Sequence, residues 1–242
     1  MNQLVCQKQI GILLVQETHL TEERKNAVES LFANRLNIHI SVDPTRPRSR
    51  GDITIVLNQS LTNVLGTKIT EIVPQCALLI QTNWHRAEKI SVLAVYALNV
   101  TPMDGSEYAE FWGTVEEFFV AHPNTKVDLM TGDFIMVEDP IDRLPMWSDP
   151  AVAVEALESL KNKLGITDGW QATHPTSKGY TLLHTATDSQ SCIDQIYVTE
   201  KVMETARDWQ IEPNGVPNCS EPRNLVDHTR QRVRITYNCL CM

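Results

Sequence analysis

The chain has 242 residues, 42% of them hydrophobic, and a formal net charge of -9. That length and apolar content suffice for one domain with a good core. The negative charge excludes holding nucleic acid by bulk electrostatics, which needs an excess of Lys and Arg, but it leaves room for an acidic site whose positive charge comes from a divalent metal.

The run Ile10 to Val15 is too short to cross a bilayer and has no basic leader before it. The expectation is a soluble intracellular protein, nuclear or cytoplasmic, not secreted and without a membrane partner. Its oligomeric state is left open. The six cysteines, Cys6, Cys76, Cys192, Cys219, Cys239 and Cys241, form no CxxC pair and no zinc-spaced set, so reduced thiols are expected.

Taken in order, Met1 to Gln9 reads as the end of a helix and Ile10 to Val15 as a buried strand. That strand delivers Gln16-Glu17-Thr18-His19 to its carboxyl end, where a glutamate has to be solvated, salt bridged or bound to a cation. Thr21 followed by Glu22 and Glu23 predicts a capped helix to about Asn34, with Val28, Leu31 and Phe32 on its buried side. Asn37 to Val42 alternates like a half-buried strand. Asp43 to Gly51, with its prolines and arginines, is a loop.

From Asp52 the pattern is antiparallel β: Ile53 to Leu57, Thr67 to Val73, Ala77 to Thr82 and Lys89 to Tyr96. The last strand ends in Tyr96-Ala97-Leu98-Asn99, a phenol and an amide three residues apart. Glu107 to Ala121 is an amphipathic helix with Phe111, Trp112, Val115, Phe118 and Phe119 on its apolar stripe. Val127 to Met130 is a short buried strand, after which Gly132 turns the backbone and presents Asp133 at a strand end, where α/β proteins place their chemistry. Ala151 to Leu164 is a second helix, and Ile166 to Trp170 a turn. Beyond Pro175 the chain returns to β with Tyr180 to Leu183, Ser191 to Val198, Asp208 to Glu212 and Arg232 to Tyr237. Asp194 then sits inside an apolar run and needs a donor or a positive group, which His228 would supply.

Gln16-Glu17-Thr18-His19, Tyr96-Ala97-Leu98-Asn99, Gly132-Asp133-Phe134, Ser191-Cys192-Ile193-Asp194 and Asp227-His228 stand in the order found in the endonuclease/exonuclease/phosphatase superfamily. With Asp142-Arg143 following the Gly-Asp-Phe stretch, the chain most resembles endonuclease domains of LINE-type retroelements and their fungal relatives. The resemblance implies a single domain over 1–242 with an α/β fold, a four-layer sandwich of two mixed, mainly antiparallel sheets with helices outside. It implies a phosphodiester hydrolase acting on DNA or another phosphodiester with Mg²⁺, Mn²⁺ being possible. Glu17 and Asp227 would bind the metal, and Asp133 would orient or deprotonate the attacking water. His228 would contact the phosphate, Asp194 would fix its imidazole, and Tyr96 and Asn99 would hold phosphate oxygens.

The sequence departs from that pattern at the site itself. The family's first strand, with its asparagine, has no counterpart before what reads as the following helix, so an N-terminal truncation is expected. Ile135 stands where relatives have an asparagine, and Cys192 where they have an arginine. Loss of one preorganised donor typically costs about 2 to 4 kcal/mol of transition-state stabilisation, and Cys cannot replace a guanidinium at an anion. The expectation is a phosphodiesterase of weakened or lost activity. The alternatives are a degenerate binding module or remnant, and a phosphatase or other phosphoesterase.

Overall fold

The computed structural model describes residues 5, 10–42, 52–84, 88–97, 104–184, 187–212, 229–230 and 232–236. Two sheets dominate. Three strands, β1 (Ile12–Gln16), β2 (Leu36–Ser41) and β3 (Ile53–Asn58), form one in the order β1-β3-β2. The other has six strands, β4 (Asn63–Val73), β5 (Ala77–Asn83), β6 (Lys89–Tyr96), β7 (Leu129–Asp133), β9 (Ile166–Asp168) and β12 (Asp194–Thr199), in the order β4-β5-β6-β7-β12-β9. All pairings in these two sheets are antiparallel except β6 with β7.

Alternation along the strands explains why these sheets stack. Ile53, Ile55 and Leu57 of β3 point the same way and pack with Leu78 and Ile80 of β5, Val92, Ala94 and Tyr96 of β6, and Ile196 and Val198 of β12. The odd residues of β5 and β6, Ala77, Leu79, Leu93 and Val95, face the other way. There they meet helix α2 (Ser106–Ala121) through Phe111, Trp112, Val115 and Phe119, and helix α3 (Ala151–Leu164) through Ala153, Leu157 and Leu160. Trp112 is fully buried and stacks on Phe134. Truncating such a ring costs about 3 to 5 kcal/mol. The outer face of the small sheet, with Leu36, Ile38 and Val56, is covered by Val5 and by Val28 and Phe32 at helix α1 (Glu22–Leu31). Helix, sheet, sheet and helix make the expected four-layer α/β sandwich, with both inner faces apolar.

The remaining strands form two smaller sheets. β8 (Arg143–Leu144), β10 (Leu182–His184), β11 (Ser189–Ser191) and β14 (Thr229–Arg230) form a sheet in the order β14-β10-β11-β8, and β13 (Arg207–Glu212) pairs with β15 (Arg232–Thr236). Two short helices, α4 (Gly169–Thr173) and α5 (Glu200–Thr205), and a 3₁₀ turn at Pro140–Asp142 complete the described elements.

Several local expectations change. The strand expected at Val127 to Met130 runs from Leu129 to Asp133, so the aspartate belongs to the ladder and does not follow it. Ser191 to Val198 is not one strand: it breaks at Cys192 and Ile193 and passes from the four-stranded sheet into the six-stranded sheet. Asp194 therefore opens a strand and is not enclosed within one. Ile166 to Trp170 is a short strand running into α4, whose first turn the Asp168 side chain caps by accepting from the Gln171 amide at 2.7 Å. Leu31 is 74% exposed because α1 ends there, leaving Val28 and Phe32 alone to pack. Met1 to Gln9 lies outside the described residues apart from Val5. No helix among the described residues is long and apolar enough to cross a membrane.

Candidate active site

Three neighbouring strands bring three of the expected residues to one level. In the ladder Tyr96 of β6 is in register with Asp133 of β7, and Asp133 with Asp194 of β12. Because side chains alternate, all three share the parity of Ala94, Leu129 and Ile196, which face the interior between the sheets. They close that interior at its end. Asp133 is 0% exposed, and its Oδ1 accepts from the Ile135 amide at 3.0 Å.

Gly132 makes this convergence possible. It has φ 151°, and a Cβ built there would lie 1.7 Å from the Val95 carbonyl oxygen. No side chain fits between β7 and β6 at that point. Gln16, the last residue of β1, reaches the same carbonyl with its Nε2 at 3.4 Å and so ties the small sheet to the large one.

Glu17 follows immediately, exposed, and its Oε1 accepts from the Tyr96 hydroxyl at 2.5 Å. The turn that carries it is unusual, with φ 53° at Glu17 and 50° at His19. Asp52, which sequence reasoning did not single out, holds it. The Asp52 carbonyl accepts from Glu17 N at 3.2 Å, and the carboxylate accepts from Thr18 N at 2.8 Å, Thr18 Oγ1 at 2.9 Å and His19 N at 2.5 Å. Asp52 is only 2% exposed. The available signal was positional: a carboxylate just before a buried strand, facing the turn because Gln16 pairs with Ile53.

Thr181, also missed, holds Asp194. Its fully buried hydroxyl accepts from the amides of Ile193 at 3.1 Å and Asp194 at 3.0 Å, just where the chain changes sheets. Asn99, Asp227 and His228, the other expected site residues, lie outside the described residues.

The side of the site beyond β12 is crowded with acid. Burial, then Asp168, Asp139 and Glu138, push the Asp142 carboxyl up to about 6, against a smaller opposing effect of Lys178. Burial also raises the carboxyl of Asp168 and the hydroxyl of Tyr197. Cys192 sits among these groups, its amide donating to the Asp142 carbonyl at 2.9 Å. Its thiol is raised by burial first and then by Asp142, Asp168 and Asp194. Carboxylates thus surround a thiol at the position where the sequence resemblance implies an arginine. Cys192 and Cys76 are free thiols.

Comparison with solved structures decides the fold family. An AP endonuclease from Archaeoglobus fulgidus superposes with a TM-score of 0.70 at 16% identity, covering 97% of this chain and 91% of that one. The 3' phosphatase NExo from Neisseria, bound to a product DNA hairpin, gives 0.74 at 14%, covering 98% and 92%. The fold is that of the endonuclease/exonuclease/phosphatase superfamily. The endonuclease domain of TRAS1, a telomere-specific non-LTR retrotransposon, shares the superfamily fold with a TM-score of 0.61 at 12% identity, covering 98% of this chain and 90% of that one. No protein-family model matches the chain, and no curated protein sequence does. Members of this fold include DNA-processing nucleases and a phosphatase.

Does the site fit the divalent metal that the superfamily resemblance implies? Among the described residues no group of three or more His, Cys, Asp or Glu side chains is arranged to hold an ion. What the structure does offer is one exposed carboxylate, Glu17, oriented by a phenol. A single hard oxygen ligand of that kind suits Mg²⁺, which keeps several of its waters.

Proposed function

We propose that this chain is a phosphodiesterase of the superfamily that acts on DNA, of the retroelement-endonuclease type, with turnover weakened by its own substitutions. The observation that carries the reading is the convergence of Tyr96, Asp133 and Asp194 on one level of three adjacent strands, with Tyr96 hydrogen bonded to Glu17. A solvated loop end has no reason to bring four such groups together.

In this reading Glu17, with Asp227, holds Mg²⁺, Mn²⁺ being an acceptable substitute. When bound, the metal offsets the negative charge that grows on the phosphoryl oxygens. Asp133 accepts a proton from the attacking water, and its orientation is set by the Ile135 amide on Oδ1. Tyr96 orients Glu17 and, with Asn99, holds phosphate oxygens. Asp194, its backbone fixed by Thr181, selects the tautomer through which His228 contacts the phosphate.

A second reading, a domain that keeps the sandwich and binds without catalysis, is favoured by one region. Ile135 supplies no side-chain donor where relatives have an amide, and Cys192 leaves the adjacent carboxylates without a guanidinium.

Purified protein incubated with supercoiled plasmid and Mg²⁺, beside an Asp133→Ala control, separates the two. Nicking that disappears in the control supports the enzyme. Equal background in both sinks it in favour of the binding module, and nicking that requires Ile135→Asn identifies the missing donor. A short phosphorylated oligonucleotide in the same assay tests the phosphatase alternative.

A further inference from the structure

The turn that aims Asp133 has a fastening that the proposed chemistry does not use. Ile135 adopts φ 55°, a left-handed conformation that a β-branched residue strongly resists. Something must hold it there, and the surrounding bonds identify what. The Ile135 carbonyl lies 3.5 Å from Arg143 Nη2, and the same nitrogen donates to Asp149 Oδ2 at 2.6 Å. That carboxylate oxygen also accepts from the Val137 amide at 2.8 Å. The two ends of the segment 135–137 are thus tied to one ion pair.

Both partners of the pair are about nine-tenths buried, and the Trp147 ring lies against the guanidinium with its centroid 3.7 Å from Cζ. Arg143 Nε is buried with no hydrogen-bond partner. A buried pair with an unmet donor contributes little net stability compared with apolar residues of the same volume. Its geometry is the more informative property. The backbone of Arg143 also pairs with Ser191, the last residue before the Cys192-Ile193 crossover to Asp194. One residue therefore touches the approach to both aspartates.

We infer that Arg143 and Asp149 are positioning residues for Asp133: by pinning the peptide groups of 135 and 137 they keep the Ile135 amide on Asp133 Oδ1 and hold that carboxylate in one orientation. The inference deepens the proposed function and takes its chemical meaning from it, yet its physical core can be read without turnover.

The test uses the full chain with Arg143→Lys, Arg143→Met, Asp149→Asn and the apolar double variant Arg143→Met with Asp149→Leu. NMR follows amide hydrogen exchange at Ile135 and Val137 and the Asp133 ¹³Cγ chemical shift at fixed pH. Nicking kinetics are run in parallel. Arg143→Met is expected to raise exchange at both amides by roughly tenfold or more while β5 and β6 stay protected. The Asp133 carbon should shift, and Arg143→Lys should recover part of both effects. The double variant keeps the fold by removing both charges together, and should lose the same protection. Where the parent nicks DNA, kcat should fall about ten- to a hundredfold with KM unchanged, as for a misplaced catalytic group. Parent-like exchange and carbon shift in a stably folded double variant would overturn the inference. A parent chain that never nicks DNA counts against the proposed function alone, because the exchange and carbon shift still decide the positioning role.

Discussion

Two turns adjoin carboxylates of the candidate site, one carrying Glu17 and one following Asp133, and they are held in opposite ways. The Glu17 to His19 turn contains two residues of positive φ, and its amides close on one nearby carboxylate, Asp52. Neither of its positive-φ residues is β-branched, and its ties run directly to Asp52. The Phe134 to Val137 turn places an isoleucine at positive φ, where the conformation costs about 1 to 2 kcal/mol, and is tied to an ion pair further along the chain. Charge differs as well. Around Asp52 the negative group is met by donors, whereas beside Cys192 burial first, and then neighbouring acids, raise the carboxyls of Asp142 and Asp168. A fold can keep a site's outline while the support behind half of it changes character.

The largest effect should come from breaking the well-held turn. Asp52→Ala strips the acceptor from two backbone amides and a hydroxyl. Each unsatisfied buried donor costs about 1 to 3 kcal/mol, so a loss of roughly 3 kcal/mol is expected in urea unfolding. A loss below about 1 kcal/mol would mean that water replaces Asp52 and that the contrast between the turns is false.

Making the second turn more like the first is the next test. Asparagine tolerates the left-handed region and restores an amide donor, so Ile135→Asn should raise nicking by about a hundredfold. Removing a half-buried isoleucine ordinarily destabilises, yet here relief of backbone strain should hold the change within about 1 kcal/mol. A drop of several kcal/mol would show that Ile135 is retained for packing.

The smallest effect concerns charge and depends on pH. The folded carboxyl of Asp142 is raised to about 6 by burial and by neighbouring acids. Its stabilising contribution is therefore fully present below the ordinary carboxylate range and is lost as pH rises through about 6. Asp142→Asn should be neutral near pH 4 and stabilising above pH 7, by about 1 to 2 kcal/mol after allowance for solvent screening. Thermal unfolding at the two pH values reads this directly, and an equal effect at both would remove Asp142 from the account. With Cys192→Arg, a guanidinium beside Asp142 and Asp168 should lower the midpoint of the Asp142 titration measured by NMR.

Much of this could be read locally. β5, β6, α2 and α3 appear within a residue or two of where periodicity and turn residues place them, because each buries a face whose pattern is written in its own few turns. The positions of Glu17, Tyr96 and Asp133 at the carboxyl ends of apolar runs were likewise legible, whereas Asp194, expected inside such a run, opens its strand. Asp52, Thr181, Arg143 and Asp149 were not identified as supports. A lone polar residue beside a strand looks the same whether or not it fastens a turn elsewhere in the chain. The break at Cys192 and Ile193 was hidden for a related reason: an apolar run does not reveal that its strand changes sheets.

By itself the sequence determined the layers, through alternation and amphipathic faces, and the identity of the acids that could gather at a strand end. Only the tertiary structure decided that Tyr96, Asp133 and Asp194 share one level, that Ile135 is left-handed, and that Asp52 and the Arg143–Asp149 pair hold the two turns. Those facts arise from register and from contacts between distant segments, which local propensity does not encode.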